Sequence, residues 1–153
     1  MLCGETFLLA AAMYVDDTDL LHWGDSPITK DEDMIHQVQC ATNDFGSLVQ
    51  ATEGALKPTK CFAYFLSYHS VKGKMVLKTL TDLTEPTEWV ESKNNDGKLS
   101  REPSHISVPQ PSGVSVPVPT KDVSDPTLMV GVHYVPRGNG IYHIDAMKNK
   151  GDL

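Results

Sequence analysis

The chain has 153 residues, 40% of them hydrophobic; that is enough for one domain with a real core, cramped for two, and equally compatible with a piece of a larger fold. Its net charge of −7, from 13 basic against 20 acidic residues, argues against a free-standing nucleic-acid binder, which carries a basic patch; a grip on phosphates would need another segment or partner. Three cysteines, Cys3, Cys40 and Cys61, are odd in number, far apart and without CxxC spacing, so reduced thiols in a cytoplasmic or nuclear protein are expected.

The first apolar run, Phe7 to Val15, is too short to span a bilayer, and Glu5 is the only charge before it, which fits a signal peptide poorly. No membrane is expected. Residues 7–14 are continuously apolar, the pattern of a strand buried on both faces, and three consecutive alanines leave room for close approach. Asp16 and Asp17 interrupt, and Thr18 to Trp23 resumes with β-compatible residues. A hairpin with two aspartates at its tip is expected. It lacks an Asn-Gly or Asp-Gly pair, so a tight turn would impose an unusual backbone angle on Val15 or Asp16.

A helix is expected from about Lys30 to Thr52. Asp31, Glu32 and Asp33 suit its positive end, and Met34, Val38, Ala41, Phe45, Leu48 and Val49 recur at spacings of three and four. Gly54 is the expected stop. The aromatic run Cys61 to Tyr68 reads as a strand; Lys74 to Leu80 and Thr87 to Glu91 are weaker strands, joined as a hairpin with its turn near Asp82–Pro86. From Lys93 to Asp125 the composition shifts: five prolines, Pro103, Pro109, Pro111, Pro117 and Pro119, punctuate a stretch that reads as an irregular insertion bearing edge strands, and Pro126 follows it. Thr127 to Val135 reads as one β-run, a turn at Pro136–Gly140 follows, and Ile141 to Ile144 returns. An opening almost directly in a buried strand and an uncapped close give both ends the look of a cut fold.

Tyr14-Val15-Asp16-Asp17 at a strand–turn–strand, an amphipathic helix, then Gly54-Ala55-Leu56-Lys57-Pro58-Thr59-Lys60-Cys61 leading into an aromatic strand resemble the palm of retroelement reverse transcriptases. Val130-Gly131-Val132 resembles the strand that seats the primer terminus in that family. The resemblance implies an α+β fold: an antiparallel sheet with the catalytic hairpin and one long packed helix (residues 1–70), an irregular β-rich insertion (71–125), and a primer-seating-like strand with a truncated end (126–153). It implies a fragment of an RNA-directed DNA polymerase whose partners are RNA template, DNA primer and deoxynucleotide. The third aspartate and the fingers would belong to an upstream segment, so synthesis by these residues alone is not expected.

Nucleotide addition suits such a hairpin. Two Mg2+ (or Mn2+) ions about 3.5–4 Å apart hold the attacking and leaving oxygens, and magnesium is content with few carboxylates plus phosphates and water. The resemblance assigns Asp16 to bridging the metals and Asp17 to supporting it. It places Tyr14 and Val15 near the primer end or nucleotide, and Gly131 under the primer. Lys60, or Lys57, would protonate the leaving pyrophosphate; the plain alternative for both is a solvated surface charge. The six histidines show no metal spacing. Two alternatives stand beside the polymerase: a non-catalytic protein-interaction module derived from a retroelement, and a calcium-binding acidic tip. The second lacks the glycine and distal glutamate of a calcium loop.

Overall fold

The computed structural model describes residues 9–14, 17–22, 30–93, 97–129 and 132–134. Within them the chain is α+β, with one α-helix and five two-stranded antiparallel sheets. In order these are β1 (Leu9–Tyr14) and β2 (Asp17–His22), α1 (Asp31–Ala51), β3 (Tyr68–Val71) and β4 (Lys74–Leu77). Then come β5 (Glu88–Lys93) and β6 (Leu99–Ser104), β7 (Ile106–Pro109) and β8 (Ser115–Val118), and β9 (Thr127–Met129) and β10 (Val132–Tyr134). Each strand pairs with its sequence neighbour. Residues 1–63 with 84–120 make one compact unit, and residues 64–83 with 121–153 a second.

The helix is the element that sequence periodicity locates best. Its first turn carries Asp31, Glu32 and Asp33 against the positive end of the dipole. Its end is a complete Schellman motif: Gly54 N–H donates to Val49 O and Glu53 N–H to Gln50 O, both at 3.0 Å. The left-handed residue is Glu53, at φ 61°, one position before the expected glycine. The buried face also differs from the apolar stripe. Leu48 is 68% exposed, whereas Cys40, Ala41, Thr42 and Gly46 are buried. The reason is β7, which lies against α1. A Cβ on Gly46 would overlap the Pro109 ring, so glycine here is the condition for helix and strand to touch.

The proline-rich stretch is β-rich as expected, but it is regular and it supplies the first unit's core. Ile106, Val108, Val118, Ser104, His105 and Thr120 are all buried. Its prolines are placed where a missing N–H costs no ladder bond. Pro117 faces Ser107, whose own N–H and C=O point away from β8 to the Gln39 side chain. The carbonyls of Pro103 and Pro119 accept the N–H groups of Thr120 and Ala63 at 2.8 and 3.0 Å.

Three expectations fail. Cys61 to Tyr68 does not form a strand along its length. It makes one parallel bridge, Ala63 to Thr120; on the Cys61 side Pro119 has no N–H to extend it, and Cys61 N–H already donates to Pro58 O. No hairpin turns at Asp82–Pro86. Lys72 and Gly73, at φ 50° and 76°, form the loop that pairs β3 with β4 in the manner of a type I′ turn, and β5 pairs with β6. The run from Thr127 divides into β9 and β10, paired with each other at Val132 and Met129. The cysteines depart as well. Cys40 is disulfide-bonded, while Cys61 is a free thiol that donates to Lys57 O at 3.2 Å and is pushed up in pKa by burial.

The second unit buries Phe65 and Val123 and is tied by Leu80 N–H to the Asp122 carboxylate at 2.8 Å. A capping box opens its short 3-10 turn: Asp82 accepts from Thr79 N–H at 2.9 Å and Thr79 Oγ1 at 2.7 Å. Those bonds, with smaller help from His69 and Lys78, hold the Asp82 carboxyl below the usual carboxylate range.

Two outcomes test this description. Helix propensity alone would make Gly46→Ala stabilising by about 1 kcal/mol, but overlap with Pro109 reverses the sign to a net loss of about 1–2 kcal/mol in urea unfolding. A lowered folded pKa makes the Asp82 contribution complete above its ordinary value of about 3.9 and lost as pH falls through the folded value. Melting temperature should therefore fall less between about pH 5 and pH 2 in Asp82→Asn than in the parent.

Candidate functional site

The β1–β2 hairpin is the first candidate. Its register pairs Leu9 with His22, Ala11 with Leu20 and Tyr14 with Asp17. Tyr14 is thus the last residue of β1 and Asp17 the first of β2, on directly opposed backbones. Val15 and Asp16, which join them in sequence, lie outside the described residues, as does Gly131. The helix α1 follows and approaches β2.

Lys60 ends the 3-10 turn Pro58–Lys60, where its N–H donates to Lys57 O at 2.9 Å. Proline at the first position of that turn presets its φ, and Cys61 N–H closes it on Pro58 O at 3.1 Å. Both Lys57 and Lys60 are exposed. The structure therefore brings Tyr14 and Asp17 together, and it leaves the two lysines as solvated charges on a short turn. Among the described residues no three His, Cys, Asp or Glu side chains gather to hold a metal ion.

The second candidate is a groove of about 640 Å³ inside the first unit, between α1 and the segment that runs from Thr84 to Pro117. Glu32, His36, Glu85 and Glu88 line its walls, and Thr84 Oγ1 donates to Glu32 at 3.1 Å. Three carboxylates make it a poor seat for phosphate. Its back wall is a buried polar cluster. His105, 4% exposed, donates from Nε2 to the Thr84 carbonyl at 3.0 Å, because a carbonyl can only accept. Nδ1 is then the acceptor, taking the Thr120 hydroxyl at 2.9 Å, and Thr120 Oγ1 accepts His105 N–H at 3.2 Å. With both ring nitrogens engaged, His105 is a structural member of the groove wall.

Sequence reasoning passed over Gln39. Its amide donates to Ser107 O at 2.9 Å and accepts from Ser107 N–H at 2.7 Å, imitating a neighbouring strand on the open edge of β7. A signal was present in the polar or small seam Gln39, Thr42, Gly46 and Gln50, at spacings of three, four and four. His105 and Thr120 left no comparable signal, because their partnership spans fifteen residues.

No family model, curated protein or solved structure matches this chain. No helix among the described residues is long and apolar enough to cross a membrane.

Thr120→Val keeps the shape of the cluster but strands His105 Nδ1 and the His105 N–H in the interior. It should cost about 1–3 kcal/mol in denaturant unfolding. A cycle combining it with His105→Leu should return a coupling of about 0.5–3 kcal/mol, since the two residues share their bonds.

Proposed function

We propose that this chain carries the catalytic-hairpin portion of the palm of a retroelement RNA-directed DNA polymerase. One observation supports the reading above others: the antiparallel register that sets Tyr14 opposite Asp17, followed in the chain by the 21-residue helix and the Pro58–Lys60 turn. That is the order in which the Tyr-x-Asp-Asp hairpin, helix and lysine loop occur in the family that the sequence resembles.

The donor set suits magnesium. Two adjacent carboxylates joined to paired strands leave most of the ion's coordination to phosphate and water, as Mg2+ prefers. Asp16 and Asp17 would hold it, with Mn2+ as a substitute. The metal would supply charge neutralisation at the transferring phosphoryl group. The chain's own contributions follow from position. Strand pairing fixes the Asp17 backbone, so its carboxylate is spared the entropy of ordering a free loop. Tyr14 and Val15 would offer backbone for seating the primer end or the nucleotide, and Gly131 a second seat for the primer. Lys60 is the donor for the leaving pyrophosphate in this reading. RNA template, DNA primer and deoxynucleotide are the partners in this reading, with the remaining aspartate and the fingers in a further palm segment.

A second reading, a non-catalytic protein-interaction module derived from a retroelement, draws on the exposed apolar side chains Leu66, Tyr68, Val71 and Met75.

Primer extension on an RNA template with Mg2+ or Mn2+ separates the two. The polymerase reading expects no synthesis by these 153 residues alone. It expects synthesis when they are joined to an upstream palm and fingers segment, abolished by Asp16→Asn or Asp17→Asn. Absence of synthesis from the extended protein removes the polymerase reading. In the interaction module, Asp16→Ala changes nothing but stability.

A further inference from the structure

Residues three and four apart share one face of a helix, and on α1 Glu32, Ile35, His36, Gln39 and Asn43 form such a stripe. This stripe is one wall of the groove of about 640 Å³ within the first unit. From Glu32 to Asn43 it runs about 16 Å along the helix axis. A second wall carries Glu85 and Glu88, three residues apart, with Pro86 between them fixing the backbone. Three glutamates therefore line the groove, and no lysine or arginine does. Ile35, Ile106 and Pro117 add apolar surface to the same lining.

The acidic end is anchored to the interior. The Thr84 hydroxyl donates to Glu32 at 3.1 Å, while its carbonyl accepts from the buried His105 ring at 3.0 Å. Thr120 holds the other ring nitrogen of His105, so Glu32 is tied to the core through a short chain of bonds. Glu85 follows Thr84 directly in sequence. Groups ordered before a ligand arrives lose less entropy when it binds.

A concave site lined by charge of one sign concentrates ions of the other. A single metal ion fits poorly, because among the described residues no three His, Cys, Asp or Glu side chains gather around one point. The carboxylates are spread along the groove, so the matching positive charge must be spread as well. A folded protein fits poorly too. Stable protein interfaces bury about 1,200 Å² or more, whereas this volume falls in the range of about 300–1,000 Å³ typical of small-molecule sites.

We infer that the groove binds a linear polyamine, with its ammonium groups on Glu32, Glu85 and Glu88 and its methylene chain along Ile35, Ile106 and Pro117. An ammonium group only donates and a carboxylate only accepts, so the two sets complement each other. The inference goes beyond the polymerase reading and does not rest on it, since it uses none of the residues of the β1–β2 hairpin.

The test is isothermal titration calorimetry of spermidine into the 153-residue chain at low ionic strength, where exposed charges are least screened. One spermidine should bind per chain. Glu85→Gln/Glu88→Gln should weaken binding at least tenfold, and Ser115→Lys, which adds a cation to the groove, at least threefold. Glu53→Gln/Glu91→Gln removes the same charge from exposed positions of the first unit outside the groove and should change affinity less than twofold. An uncharged alkanediol of equal length should not bind. A ligand of the folded state raises its melting temperature, so spermidine should stabilise the parent more than Glu85→Gln/Glu88→Gln. Unchanged far-ultraviolet circular dichroism identifies the variants that remain folded. Equal losses from the groove pair and the outside pair, no saturable binding by the parent, or tighter binding of Mg2+ than of spermidine would overturn the inference.

Discussion

The first unit depends on how the open edge of β7 is closed. A strand in a two-stranded sheet leaves alternate N–H and C=O groups unpaired, and burying them without partners costs about 1–3 kcal/mol for each group. Here the Gln39 amide takes both groups of Ser107, donor to acceptor and acceptor to donor. Gln50 approaches the Pro109 carbonyl one helical stretch farther on, at 3.5 Å. Between them Gly46 removes the side chain that would hold helix and strand apart. The helix thus serves as a third strand for β7, through side chains instead of its own backbone, whose hydrogen bonds are already used internally.

That arrangement accounts for the character of the core. A sheet closed by a polar seam and punctuated by prolines cannot be packed with large aliphatic residues alone. Its interior combines Ile106, Val108 and Val118 with Ser104, His105 and Thr120. Each of these polar residues has a partner: Ser104 Oγ donates to Ile106 O at 2.9 Å, and the His105–Thr120–Thr84 set is mutually consistent in donors and acceptors. Satisfied polar groups specify one arrangement where apolar contacts would tolerate several.

The chain holds two hairpins of opposite charge. One carries the aspartates beside Tyr14 and would attract metal. The other carries Lys72 and Lys74 at its exposed tip. An overall charge of −7 conceals this division, because a sum over the chain carries no position.

The pairing of β1 with β2 and the long helix were legible from sequence, because each is encoded by neighbours: two apolar runs a few residues apart, and spacings of three and four. The Tyr14–Asp17 pairing follows from the same local order. The Lys72–Gly73 loop was legible in principle, as a two-residue turn ending in glycine, yet the stronger Pro signal at residue 86 drew the expected turn away. What local order could not convey was which partner each strand would meet. The aromatic run from Cys61 forms only one β-bridge, at Ala63, next to a proline distant in sequence. The buried stripe of α1 rotates toward Gly46 because β7 arrives there, and a proline-rich stretch becomes core because its carbonyls find donors in Ala63 and Thr120. Sequence by itself determined the elements whose hydrogen bonds close within a few residues. Tertiary structure decided those whose donors and acceptors are satisfied only across the fold, since a backbone group's partner is fixed by what packs beside it.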